Sequence, residues 1–375
     1  MAKVGYMADN FGEFPHTMRV TADNIMGKSG LNVGNFAFWN ATQLLLDEEI
    51  VLFPFGAKSD NYIGKLDFIV IPAANWLSVG QDFGWLATFI EEVDVPCLVF
   101  GLGAQSENVD EFPTLEEGTL NLLKAISKRS PYLAVRGDYT KELCVSLDIK
   151  NVEAMGCPSI LTSANKALGE TVTEKWLRTA DKIAIHGLNL KHNTQDVERY
   201  LYDLLKEIKG SSYVIQEPRS MIRLMTQEGL KDIDMQPLAH AHEYLSQTDT
   251  FEDFVGIIRG SSYVPFSLNS WANYLSYHSH AVGTRIHGSI ISLTAEIPSI
   301  CVPHDARTRE LCDIMKIPAI NAAEYNTDES VEDLFSHVAI DAEEFDENRR
   351  VLARKNAEMI KQSGMKISAH LNAFL

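Results

Sequence analysis

Arg285 and His287 stand two residues apart in Ala281-Val-Gly-Thr-Arg-Ile-His-Gly288, where an apolar run hands over to a helical pattern. Ala281 to Gly283 reads as the end of a buried strand. Ile290, Leu293 and Ile297 have helical spacing from about His287, and Pro298 stops the helix before the apolar run Ile300 to Val302. The pattern is that of a βαβ unit. In open α/β sheets ligands sit beyond the carboxyl ends of the strands, and the free N–H groups of a helix start attract phosphate or carboxylate. A guanidinium there holds two oxygens of an anion at once, and an imidazole moves protons near neutral pH.

A second strand end carries an arginine in Tyr132-Leu-Ala-Val-Arg-Gly-Asp138, with Arg136 after the apolar run and Asp138 as a suitable N-cap for the next helix. Arg136 and Arg285 facing one cleft would each clamp an anion in a way lysine does not; the plain alternative is that each pairs with a nearby acid. A third strand, Pro96 to Phe100, ends in Gly101-Leu-Gly103-Ala-Gln105-Ser106. It is a tight turn or a place for close backbone approach to a ligand, with Gln105 as a contact. Ser106 stands where a dinucleotide fingerprint needs its third glycine. Asn32, Gly34 and Asn35 precede the helical run Phe36 to Leu45, where they either cap that helix or present amides to a hydroxylated ligand. The pairs His240/His242 and His278/His280 lack a third ligand of metal-site spacing, and no Walker loop, G-x-S-x-G or H-E-x-x-H is present.

The elements that must position these residues alternate along the chain. Leu66 to Ile71, Pro96 to Phe100, Tyr132 to Val135 and Val152 to Met155 read as strands, with helices over Trp85 to Val93, Leu115 to Lys128 and Tyr139 to Leu147. A second series follows a polar stretch near Ser163 to Glu170: Lys182 to His186, Tyr213 to Gln216, Tyr263 to Phe266, the Ala281 strand and Ile300 to Val302. Two α/β domains are therefore expected, residues 1–165 and 175–340. The helical tail 341–375, interrupted near Ser363-Gly364, is expected to run back over the first domain. Substrates would meet in the cleft between the domains.

Composition narrows the partners. The chain has 375 residues, 45% hydrophobic and 22% charged, the balance of an ordinary globular protein. Its 51 acidic residues against 33 Lys plus Arg give a net charge of −18, which disfavours nucleic acid and anionic membranes as partners. The start of the chain lacks a signal-peptide pattern and no run is long enough to span a membrane, so a cytoplasmic location is expected. Five scattered cysteines without C-x-x-C spacing read as reduced, mostly buried thiols.

Taken together, Gly283-Thr-Arg-Ile-His-Gly288, Ala134-Val-Arg-Gly-Asp138, Gly101-Leu-Gly-Ala-Gln105 and Asn32-Val-Gly-Asn35 resemble the polysaccharide pyruvyltransferase family, as does the strand and helix from Pro298 to Ile314. The resemblance implies an α/β fold of two Rossmann-like domains in a GT-B-like arrangement, with the active site in the inter-domain cleft. It implies transfer of the pyruvyl unit of phosphoenolpyruvate to two hydroxyls of a sugar, forming a cyclic ketal and releasing phosphate. The acceptor would be a polysaccharide repeat unit or its lipid-linked precursor. By that likeness Arg285, Ile286, His287 and Arg136 meet the donor, with Arg285 and His287 as the catalytic pair and His287 as phosphate contact or general acid. Gly101, Gly103, Gln105, Asn32, Gly34 and Asn35 complete the substrate contacts. No cofactor beyond the donor and no metal is expected. The chain departs from the family at Pro72-Ala-Ala-Asn75, where glycines are usual, which places acceptor binding at that loop in question. The competing classes are a GT-B glycosyltransferase using a nucleotide sugar and a catalytically silent sugar-binding protein of the same fold.

Overall fold

Eleven short strands form two larger parallel sheets and a two-stranded one in the computed structural model, which describes residues 1–12, 20–106, 111–190, 192–226 and 228–375. The first sheet is built from β1 (Lys3–Met7), β2 (Glu49–Phe53), β3 (Phe68–Pro72) and β4 (Cys97–Phe100) in the order β2-β1-β3-β4. Beside it β5 (Leu133–Val135) pairs with β6 (Val152–Ala154). A bridge from Leu102 to Val135, with Arg136 N–H donating to Leu102 O at 2.9 Å, ties β5 to the end of β4. The second sheet contains β7 (Ile183–Ile185), β8 (Ser212–Val214), β9 (Ser262–Tyr263), β10 (His280–Gly283) and β11 (Ser299–Cys301), in the order β11-β10-β7-β8-β9.

The sequence explains these strands by burial on both faces. Cys97-Leu98-Val99-Phe100 and Ile183-Ala184-Ile185 are buried throughout, as central strands of a helix-covered parallel sheet must be. The α/β class and the two Rossmann-like sheets expected above are thus observed. β1 and β2 are not among the apolar runs marked in the sequence. β1 is interrupted by Gly5, and β2 is a half-exposed edge whose Glu49-Ile-Val-Leu-Phe53 lacks a continuous buried signature.

Two helix starts bear on the site. Asp305 caps the helix Ala306–Met315, accepting from Thr308 N–H at 2.8 Å. Asp138, in contrast, does not cap its helix: Gly137 is the N-cap of Asp138–Ser146 and Asp138 is already helical. The free N–H of Thr140 is satisfied from elsewhere, as described below.

The helix Ala342–Gln362 starts at the Asp341 cap and ends at Ser363, and the chain then turns at Gly364. Its buried Arg349 donates to the carbonyls of Ile160 (3.2 Å), Ser163 (2.6 Å) and Asn165 (2.7 Å). Phe345, Leu352, Met359 and Ile360 share a core with Ile160, Leu161, Leu168 and Val172, and burial of each contributes ~1.5–3 kcal/mol. Beyond it, Ile367 bridges Leu46 and Ser368 N–H donates to Leu45 O at 3.0 Å. All five cysteines are buried and free. Among the described residues no helix is long and apolar enough to cross a membrane.

Candidate functional site

Arg136 leaves the carboxyl end of β5 and is only 2% exposed. Its Nε donates to Gly101 O at 2.9 Å and its Nη1 to Asn75 Oδ1. Among the described residues no carboxylate lies in ion-pair contact with it and its Nη2 has no partner. Burial pulls its pKa down to about 10, with the nearby Arg307 acting in the same sense. Glu310 and Asp305 act on it only from a distance; a guanidinium buried without a contacting counter-charge is costly, and an arriving anion relieves that cost. Gly103 makes room for it: a Cβ there would lie 2.6 Å from Arg136 Cδ. The Pro72–Asn75 loop, where the family pattern has glycines, therefore acts on the arginine through Asn75, while Ala74 O accepts from Gly103 N–H at 2.9 Å.

Arg285, at the carboxyl end of β10, is held differently. Its Nη1 pairs with Glu217, its Nη2 donates to Leu188 O at 2.7 Å, and its Nε reaches Gly187 O at 3.4 Å. The 187–189 turn that offers those carbonyls is fixed by the fully buried Glu198. That carboxylate accepts from Leu188 N–H (2.7 Å), Asn189 N–H (2.9 Å) and the Thr284 hydroxyl (2.6 Å). Desolvation raises the Glu198 pKa. In this state Arg285 has an acidic partner and Arg136 has none.

His287 is the second residue of the helix Ile286–Thr294, whose first N–H groups no side chain caps. Its Nε2 lies 3.8 Å from Cys157 Sγ, and its ring centroid 5.6 Å from that of Phe38. Burial, then the charges of Arg136 and Arg307, push its pKa down to about 3, so the unliganded ring is neutral at pH 7. Ile286 buries its side chain in the core, which leaves its backbone as the part able to face an anion.

Asn32 and Asn35 are engaged in their own turn. Asn32 Oδ1 accepts from Gly34 N–H at 2.7 Å, and Asn35 Nδ2 donates to Ser29 O at 2.8 Å. Gly34 is the close approach: a Cβ would collide with Gln216 Oε1 and come within 3.3 Å of His287 Nδ1. Val33 N–H donates to Gln216 O at 3.1 Å. Upstream, Asp23 pairs with Arg219 (2.6 Å) and Arg223 (3.0 Å), so the segment carrying Asn32 is fastened to the second sheet's helices. Gln105 is half-buried on the loop after β4, its N–H donating to Leu77 O at 2.9 Å.

Chemistry-bearing residues not singled out from sequence also converge here. Arg307, in the first turn of Ala306–Met315, pairs with Asp305 at 3.2 Å while its buried Nε has no partner among the described residues. The same helix carries Glu310, whose carboxylate accepts from Thr140 N–H (3.1 Å) and Oγ1 (2.8 Å). Thr140 Oγ1 in turn accepts from Ala104 N–H at 2.9 Å. A carboxylate from the second half thus caps a helix of the first and fixes the loop beside Gln105. Desolvation raises Glu310 to about 7, against the lowering effect of Thr140 and Arg136. Position after a strand, the signal that marks Arg136 and Arg285, would also have marked Arg307 after β11; Glu310, Cys157 and Asn75 carry no such signal. His278 and His280 are hydrogen-bonded to Ser212 and to Trp176 O, and no metal-holding cluster occurs among the described residues.

Among solved structures the chain is similar to the S. aureus MnaA–UDP co-structure (9% identity, 96% of this chain and 97% of that one, TM-score 0.45). It is also similar to the UDP-N-acetylglucosamine 2-epimerase of Rickettsia bellii (9%, 96% and 96%, 0.46). No curated protein matches. The family model for polysaccharide pyruvyl transferase matches residues 32–306, from the Asn32 turn through the Arg285–His287 helix to the start of the Arg307 helix. With nearly three quarters of its length so matched, this chain belongs to the polysaccharide pyruvyl transferase family.

Proposed function

We propose that the chain transfers the pyruvyl unit of phosphoenolpyruvate to two hydroxyls of a sugar, in a cell-surface polysaccharide or its precursor, as a cyclic ketal. The observation that carries this reading is Arg136, a buried guanidinium without an acidic partner beside a neutral histidine and a second guanidinium. In the reaction C3 of the donor gains a proton, C2 becomes electrophilic, and one acceptor hydroxyl adds to C2. The C2–O bond to phosphate then breaks and the second hydroxyl closes the ring. Of the two hydroxyl protons, one is balanced by the new methyl group and the other by the released phosphate. No electrons are transferred, so no nicotinamide is called for.

Arg136 and Arg307 hold the donor's anionic groups and offset charge as phosphate departs. His287 enters neutral. The incoming phosphate favours its protonated form, which makes it an acid for C3 or a donor to the leaving oxygen. Arg285 anchors the 187–188 turn and, by the family likeness, reaches the donor once it leaves Glu217. The donor supply fits a cytoplasmic location. Phosphorus NMR tests the reading: phosphoenolpyruvate with a sugar acceptor should yield inorganic phosphate and a ketal methyl signal. A protein whose melting temperature responds to NAD or a UDP-sugar but not to phosphoenolpyruvate overturns it.

A further inference from the structure

The carboxyl edge of the first sheet carries aromatic rings that the donor chemistry does not use. Phe55, just beyond β2, is 58% exposed, and its ring lies 4.9 Å from Trp85 and 6.4 Å from Trp76. Trp76 follows β3 and stacks on buried Phe83 at 4.8 Å; both tryptophans are half-buried. Val79, on the same loop as Trp76, is 72% exposed. Exposed and half-buried aromatic rings clustered in mutual contact on a protein surface point to an interaction site. Its position is specific. Trp76 is the neighbour of Asn75, the residue that accepts from Arg136, so the patch begins where the anion site ends.

We propose that these rings form the acceptor subsite and that its ligand is a neutral glycan. A pyranose presents an apolar face of C–H bonds carrying partial positive charge, which complements the negative face of an aromatic ring. Phe55, Trp76, Val79 and Trp85 are all uncharged, and a chain of net charge −18 is repelled by an anionic bilayer. From β2 to β5 is four strand spacings, roughly 19 Å, enough for a short oligosaccharide laid from Phe55 towards Arg136. The Pro72–Asn75 loop accounts for the departure from the glycine-rich pattern: it trades close backbone approach for a ring at Trp76 and an anchor for Arg136.

This inference rests on the proposed transfer reaction, and the test separates the two. Wild-type protein, Phe55→Ala, Phe55→Tyr and the remote control Leu177→Ala would be titrated with cellobiose, lactose, chitobiose and maltotriose. The readouts are tryptophan fluorescence and saturation-transfer NMR, with the phosphoenolpyruvate thermal shift recorded for each variant. At least one sugar should bind the wild type and Leu177→Ala. Phe55→Ala should weaken it by about tenfold, Phe55→Tyr should restore it, and all four proteins should keep the donor shift. Absence of sugar binding in the wild type, or equal binding by Phe55→Ala, overturns the subsite. So does binding of phosphatidylglycerol vesicles that Phe55→Ala abolishes, since that makes the patch a lipid contact. Loss of the donor shift in the wild type refutes the transfer reading instead.

Discussion

Arg136→Met separates binding from stability in a way the geometry makes quantitative. The substitution removes a buried charge that has no carboxylate partner, and the desolvation so relieved is several kcal/mol. It also strips the donor from Gly101 O and from Asn75 Oδ1, at ~1–3 kcal/mol for each acceptor left unpaired. These effects oppose each other at similar size. For 375 residues the unfolding entropy is ~0.8 kcal/mol per kelvin, so the unliganded variant should melt within ~3 °C of the wild type. Ligand linkage behaves differently. Phosphoenolpyruvate at 100 times its dissociation constant should stabilise the wild type by ~2.7 kcal/mol, a rise of ~3 °C, and this rise should vanish in the variant. Calorimetry fixes the dissociation constant and differential scanning fluorimetry reads both melts. A donor shift that survives in Arg136→Met removes Arg136 from the site. An unliganded melt lowered by more than ~6 °C makes the arginine a structural strut.

Three further predictions concern protons. His287→Ala and His287→Gln should both lower turnover ~10²- to 10⁴-fold at saturating donor if the ring transfers a proton; full turnover in both rejects catalysis. Because burial holds the unliganded ring neutral, at about 3 rather than its ordinary value, donor binding near pH 7 should draw a proton onto it. Calorimetry in buffers of different ionisation enthalpy should show uptake in the wild type beyond that in His287→Gln, and equal uptake contradicts it. For Glu310, raised to about 7 from the model-compound 4.5, the stabilising contribution is present below pH 4.5 and is lost as pH rises through 7. The melting temperature of Glu310→Gln relative to wild type should therefore climb between pH 5 and 8; a flat difference denies the carboxyl its elevated pKa.

Strands with a continuous apolar run, such as Cys97 to Phe100, were legible, whereas the equally buried interior strand β1 was not, because Gly5 interrupts its pattern. The half-exposed edge β2 gave no such run, and β9, read as Tyr263 to Phe266, is the two residues Ser262–Tyr263. At the candidate site, a strand-end arginine is visible in sequence, but what its guanidinium meets is not. Asn75 and Glu217 lie far in sequence from the arginines they meet, and only folding reveals that Arg285 is matched by an acid while Arg136 is not. The cap on Asp138–Ser146 was misread for the same reason. Local spacing favours Asp138, whereas the N–H of Thr140 is met by Glu310, 170 positions away.

The helix Ala342–Gln362 sets a timetable for the folding of the first half. Ile160, Leu161, Leu168 and Val172 find their apolar cover in residues 345–360, and Leu45 and Leu46 find a strand partner in residues 367 and 368. All of that cover is synthesised well after the residues it protects. At ~5–20 residues per second, the first half waits ~10–40 s for it. During that interval a nascent chain shows the ribosome's surroundings a greasy seam that the finished enzyme never displays. A stop codon before residue 345 would therefore compromise the first half as well as the second.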